Sequence, residues 1–385
     1  MKATHATRLS RREVMRLLGA GAGVGLAAAC QPNTESEVEV VEGPASSPIA
    51  PPVTFPQGAI VRTILGDVSP DMLGDGATLF HEHLSFNYSS PPPPTRLRES
   101  GALPPPPPDN ARMLDLLVEE LRMAAFDGVG CIVDSSIGPR SELQFENLRI
   151  LATRSGVQIV LGGSYFLQPR YPAEIIQMPE AEIAAHLSDR ANEEGWGAFG
   201  EIGTSWPEMH DDERKMLRAV SLAHLQTGLP IFTHVPHESC PSCAIEQLDI
   251  YESQGVDLAH LCIGHLTTVT GEDDPGWETH KEIARRGAFL GFDTVGHQMS
   301  QSFIPETEKV QMVLEVLEAG YEDNVLLSSD FANTSQIKAN WGNGFSTVLV
   351  QFVPKLRYAG VPDETIQKIL VDNPRRFLAF VPKSA

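Results

Sequence analysis

An alternation runs through most of this chain. Short apolar runs at 77–83, 129–135, 157–163, 198–203, 230–235, 261–265, 288–293 and 325–330 are each followed by an amphipathic run of helical period. These lie at 111–126, 142–154, 180–192, 211–224, 244–253, 277–286, 306–318 and 345–357. The short runs suit buried strands, and the longer ones repeat their apolar residues three and four apart. Eight such units in about 330 residues predict an α/β fold, a single (β/α)8 TIM barrel. Gly128, Gly156, Gly228, Gly255, Gly287 and Gly320 fall between a helix and the next strand, where helices are commonly stopped. A doubly wound open sheet is the competing arrangement. No strand, however, is followed by the glycine-rich fingerprint of a dinucleotide site.

Barrels of this kind carry their chemistry at the carboxyl ends of the strands. The first strand ends in FHEHL, residues 80–84. Side chains alternate along a strand, so His81 and His83 share one face and Glu82 takes the other. The fourth strand ends around Glu201, the fifth in His234, the sixth in His265 and the eighth in Asp330. Four imidazoles and two carboxylates are too many donors for one tetrahedral ion with an open position. They fit two. His81 and His83 with Asp330 would hold one ion, and His234 with His265 the other. Glu201 would bridge them with its two oxygens. Two divalent ions bring the pKa of a shared water towards neutrality. Zn²⁺ suits this donor set, and Mn²⁺, Co²⁺ or Fe²⁺ are admitted by it.

Several stretches carry a resemblance: ILGDVSP, HEHL, GEIGTS, LAHLQTGLPIFTHVPH, GVDLAHLCIGH, GFDTVG, LSSDFANTSQIKAN and NPRRFL. Over about residues 58–382 the chain resembles the phosphotriesterase family of the amidohydrolase superfamily. It is most similar to the branch called phosphotriesterase homology proteins. The resemblance implies a binuclear metal hydrolase with His81, His83, Glu201, His234, His265 and Asp330 as ligands. Better-known members bridge their ions with a carboxylated lysine; here the matching position is Glu201, as in the homology-protein branch. By the same resemblance Asp330 is also the catalytic residue, taking the proton of the attacking oxygen. Relatives are often dimers, so a homodimer is admitted.

Two departures bear on the substrate. Phosphotriester-cleaving members carry acidic residues just after the sixth-strand histidine, where this chain has Leu266-Thr267-Thr268. They also carry a histidine after the seventh-strand aspartate, where Thr294 follows Asp293. Lactone-cleaving relatives place a tyrosine after the third strand, matched by Tyr165, and an arginine where Thr294 stands. The expectation is hydrolysis of a small-molecule lactone or carboxylic ester. Phosphotriester hydrolysis is the alternative, and a non-catalytic ligand-binding barrel the second. Tyr165, His237, Asp293 and His297 are candidate substrate-binding residues, with Lys338 and Trp341 as further candidates in the loop after the eighth strand. Asp134 would support either the centre or the core. His186, His210, His224, His260 and His280 fall away from the strand ends and read as structural or surface residues.

The amino terminus has another character. SRREVM at 10–15 resembles a twin-arginine export motif and precedes a Gly/Ala-rich apolar stretch. Ala27-Ala28-Ala29-Cys30 resembles a lipoprotein cleavage box with Cys30 as the lipidated residue. Residues 1–30 are therefore expected to be an export signal, directing the protein to the periplasm or cell envelope. Residues 31–55 are polar, acidic and proline-bearing, a disordered linker. The barrel then occupies 56–385. A net charge of -21 argues against nucleic acid and anionic membrane surfaces as partners. Membrane contact is expected only through the lipid. Cys240 and Cys243 are expected to form a local disulfide, Cys131 and Cys262 to be buried core residues. The proline tracts at 91–94 and 104–108 favour polyproline II and read as a spacer, with a semi-rigid rim or partner site as the alternative.

Overall fold

The computed structural model describes residues 53–84, 110–136, 139–296, 304–332, 336–340 and 342–383. The export motif, Cys30, most of the linker, both proline tracts, His297 and Trp341 lie outside the described residues. One compact unit runs from Phe55 to Ala385. No helix among the described residues is long and apolar enough to cross a membrane.

The described strands are β1 (Val61–Thr63), β2 (Gly66–Val68), β3 (Ala77–Glu82), β4 (Val129–Asp134), β5 (Gln158–Gly163), β6 (Ala198–Gly203), β7 (Ile231–His234), β8 (Leu261–Ile263), β9 (Phe289–Phe292) and β10 (Val325–Leu327). β3 to β10 form one parallel eight-stranded sheet in sequence order. The helices between and after them are α1 (Asn110–Phe126), α2 (Glu142–Ser155), α3 (Glu180–Glu194), α4 (Asp211–Thr227), α5 (Pro241–Ser253), α6 (Glu278–Arg285), α7 (Glu306–Glu318) and α8 (Val353–Tyr358). Local chemistry sets their ends. Ser141 and Gln144 form a capping box that starts α2, and Gly156 stops it in the left-handed conformation.

Every barrel strand sends a side chain into one buried interior cluster. It comprises Phe80, Cys131, Val133, Val160, Ala198, Phe232, Cys262, Phe289 and Leu326, with Phe377 and Leu378 beneath. The alternate residues pack outward against the helices, as Leu79, Ile132, Ile159 and Leu161 do. Cys131 and Cys262 are thus small interior core residues.

Closure of the ring falls just beyond the strand ends. The Asp330 amide donates to the His81 carbonyl at 3.1 Å, and the His83 amide donates to the Phe331 carbonyl at 2.8 Å. Glu82, turned away from both histidines, clasps the same seam. It is wholly buried and accepts from Ser328 Oγ at 2.8 Å, the Ser329 amide at 2.9 Å and the Phe331 amide at 2.7 Å. Burial raises the Glu82 carboxyl to about 7, against the pull of these donors.

Some strands are shorter than their apolar runs. β8 stops at Ile263 rather than 265, because the chain turns sharply there. A Cβ at Gly264 would stand 2.0 Å from the Thr233 carbonyl oxygen, and His265 itself has φ +56°. β10 stops at Leu327, three residues before Asp330 at φ +45°. Left-handed backbone costs a non-glycine residue on the order of 1–3 kcal/mol. At these two strand ends the residues that carry it are expected ligands; Trp277, at φ +50° ahead of α6, carries it as well and is not one. The β1–β2 hairpin and the short helices Ala173–Gln177, Asp363–Gln367 and Asn373–Leu378 lie outside the eight-unit pattern. The hairpin meets the start of β5, where the Ile64 amide donates to the Ile159 carbonyl at 2.8 Å.

Candidate metal centre

At the carboxyl end of the barrel, β3, β6, β7 and the turns after β8 and β10 deliver six side chains to one place. Glu201 lies at its middle and is almost wholly buried. Its two oxygens face different partners. Oε2 stands 3.5 Å from His81 Nε2 and 3.8 Å from His83 Nε2. Oε1 stands 3.2 Å from His265 Nε2 and is in close contact with His234 Nδ1. Asp330 joins the first side, its Oδ1 3.1 Å from His83 Nε2 and 3.7 Å from His81 Nε2.

The rings are held from behind. Asp293 receives His81 Nδ1 on Oδ2 at 3.0 Å and His265 Nδ1 on Oδ1 at 2.9 Å. The His265 amide donates to the same carboxylate at 2.9 Å. With both Nδ1 positions bonded behind, the two Nε2 atoms turn towards Glu201. His81 Nε2 is buried with no hydrogen-bond partner, the state expected of a nitrogen placed to ligate rather than to donate. Ligand atoms of His81, His83 and Glu201 lie within 4.8 Å of one another, as do those of His234, His237 and His265. Softer nitrogens and hard oxygens in this mixture suit divalent transition metals or zinc.

The charges are mutually dependent. Burial works against ionising His265, yet Asp293 and Glu201 raise it to about 10. Burial likewise works against Glu201, but His81 and His234 hold it well below the usual carboxylate range. Asp330 is also kept low in spite of burial, chiefly through His83 and His81. Burial and the neighbouring His265 and His234 rings press His237 down to about 3. A cluster that without cations needs protonated imidazoles to balance its carboxylates is one in which cations can take over that balance.

The candidate substrate contacts fare differently. Asp293 has no exposed surface, and its two carboxylate oxygens are taken up by His81 and His265. Tyr165 turns outward to α3, bonding His186 Nε2 at 3.0 Å and lying near Arg190. Its neighbour Phe166, which the sequence did not single out, sits edge-on to His234 with ring centroids 4.7 Å apart. His237 does reach the centre, 4.4 Å from the His265 ring and 4.8 Å from that of His234. Lys338 is bound to Asp127 at 2.8 Å and Ser346 at 3.0 Å. Asp134 serves core hydrogen bonding, accepting from the Leu84 amide at 2.8 Å and Ser136 Oγ at 2.6 Å. Thr267 and Thr294, the two departures after β8 and β9, are buried and bond each other at 2.6 Å. Cys240 and Cys243 are joined at the start of α5.

The family described as Phosphotriesterase family matches residues 59–378. N-acetyltaurine hydrolase of Danio rerio is 27% identical over 355 residues, covering 83% of this chain and 98% of that protein. The phosphotriesterase homology protein of Escherichia coli (strain K12) is 26% identical over 308 residues, covering 78% of this chain and 97% of that protein. Among solved structures, a resiniferatoxin-binding protein from Rhodobacter sphaeroides is similar with a TM-score of 0.69 and 28% identity, covering 83% of this chain and 95% of that one.

Proposed function

The chain belongs to the phosphotriesterase family, and from that premise we propose a two-metal hydrolase that cleaves a lactone or carboxylic ester. One observation carries this reading: Glu201 divides its two oxygens between the His81–His83 pair and the His234–His265 pair. His81, His83 and Asp330 would hold one divalent cation, His234 and His265 the other, with Glu201 shared. Zn²⁺ fits this donor set best. When bound, the pair of cations would acidify a shared water and polarise the substrate's acyl oxygen.

The chain's own residues supply the rest. Asp330 is held ionised although buried, and its Oδ1 lies at the edge of the His81–His83 side. It is therefore the group that takes the proton of the attacking water and returns it to the leaving alkoxide. Asp293 fixes the tautomers and tilt of His81 and His265. Phe166, edge-on to His234, lends the mouth an apolar wall.

The threonine pair favours acyl over phosphoryl substrates. Thr267 and Thr294 satisfy each other and leave no ionisable group in the places where phosphotriester-cleaving members carry acid and histidine. A second reading, hydrolysis of an N-acyl amide, is favoured by the N-acetyltaurine hydrolases matched over nearly their whole length. The test is turnover of γ- and δ-lactones, aryl esters, N-acetyl amino sulfonates and an aryl phosphotriester by the metal-loaded protein. Hydrolysis of the phosphotriester alone would overturn the acyl reading.

The export motif at 10–15 and Cys30 support, as part of this proposal, a twin-arginine-exported and lipid-anchored enzyme. Replacing Arg11 and Arg12 by lysine should leave the protein in the cytoplasm. Unchanged export would contradict the assignment.

A further inference from the structure

We propose that His237 is an additional metal ligand, a third imidazole on the His234–His265 side of the centre. This rests on the two-cation reading above and changes what that reading implies. The six ligands implied by the family resemblance divide unevenly. His81, His83, Asp330 and Glu201 Oε2 give one side four protein donors. His234, His265 and Glu201 Oε1 give the other three.

His237 supplies the missing donor. It follows His234 by three residues, in the loop between β7 and α5. That loop is pinned at several points. Gln247 Nε2 donates to the His234 carbonyl at 3.0 Å, and Thr268 Oγ1 lies 3.4 Å from the Pro236 carbonyl oxygen. The Cys240–Cys243 link closes the loop's far end, and Cys240 Sγ accepts from the Cys243 amide. The result is a His237 ring 4.4 Å from that of His265 and 4.8 Å from that of His234. One nitrogen on each of the three rings lies within 4.8 Å of one on each of the others. Ligand atoms on one tetrahedral ion stand about 3.4 Å apart, so modest ring rotation closes the trio. A residue serving only to touch substrate would face the mouth and need no such convergence on two ligand rings.

The consequence is a centre with four protein donors on each side. Both cations are then held with similar strength, and a chelator removes them together. Without His237 the His234 side becomes the weaker, and its cation leaves first.

The experiment uses the full chain loaded with two equivalents of Co²⁺ and titrated with a chelator, counting bound metal by atomic emission. Wild type should lose both ions in one phase. His237→Ala should lose one ion per chain at a chelator concentration at least about 10-fold lower and keep the other. Matching melting temperatures of the metal-free forms show that the fold is kept. In His237→Cys, a thiolate-to-cobalt charge-transfer band in the near ultraviolet should appear. The proposal is overturned if His237→Ala keeps two ions with the wild-type profile and His237→Cys gives no new band. Wild type that binds no ion would instead overturn the two-cation reading itself.

Discussion

Asp293 holds two histidines of one centre, with His81 Nδ1 on one of its oxygens and His265 Nδ1 on the other. β3 and the turn after β8 are thereby locked to the end of β9 through a single buried carboxylate. Asp293→Asn keeps the shape but turns an amide NH2 towards one ring, where a nitrogen that donates now meets a donor. Metal affinity should fall by about 10- to 100-fold, read by chelator competition. Unchanged affinity would mean that the carboxylate does not set the ring orientation.

Glu201 stands between the two histidine pairs, Oε2 towards His81 and His83 and Oε1 towards His234 and His265. Glu201→Ala should lose both ions on dialysis, where loss of a ligand to one ion alone would leave the other. Two ions per chain after dialysis would contradict the bridging role.

Glu82 clasps the seam between β3 and the residues after β10. Glu82→Ala leaves several buried donors without an acceptor at the closure of the barrel. Stability should drop by about 3 kcal/mol, visible as a lower urea midpoint. A change under about 1 kcal/mol would show that the backbone bonds there suffice.

His280 on α6 is wholly buried, its Nε2 donating to the Leu266 carbonyl at 3.0 Å. Burial lowers it from 6.5 to about 4. Its folded pKa lies below its unfolded one, so the unfolded chain binds more protons between those values. Its contribution is fully present above pH 6.5 and is lost as pH falls towards 4, by roughly 3 kcal/mol. His280→Asn should flatten that part of the stability curve. An unchanged slope between pH 6.5 and 4 would remove His280 as its source.

The barrel and its six converging side chains were legible in the sequence because five of the eight apolar runs end on or close to a metal-capable residue: His81 in β3, Glu201 in β6, His234 in β7, and His265 and Asp330 two and three residues past β8 and β10. The pattern fails where the chain leaves the strand. Two residues past β5 the backbone has already turned, so Tyr165 goes out to His186 and Phe166 takes the place beside His234. Asp293 ends its strand like any other rim acid, and no periodicity tells a carboxylate facing substrate from one facing two imidazoles. The β1–β2 hairpin has three residues in each strand, too few to show any period.

The most direct test of the account is steady-state turnover by the Zn²⁺-loaded full chain beside its Asp330→Asn variant, on the best acyl substrate of the panel. Asn tolerates left-handed backbone, so the φ of +45° at this position is kept and the fold with it. The account predicts a loss of at least about 10² in kcat, with the variant still melting as wild type does. Turnover by the variant within about threefold of wild type would contradict the role of Asp330 as proton acceptor, and with it the proposed mechanism.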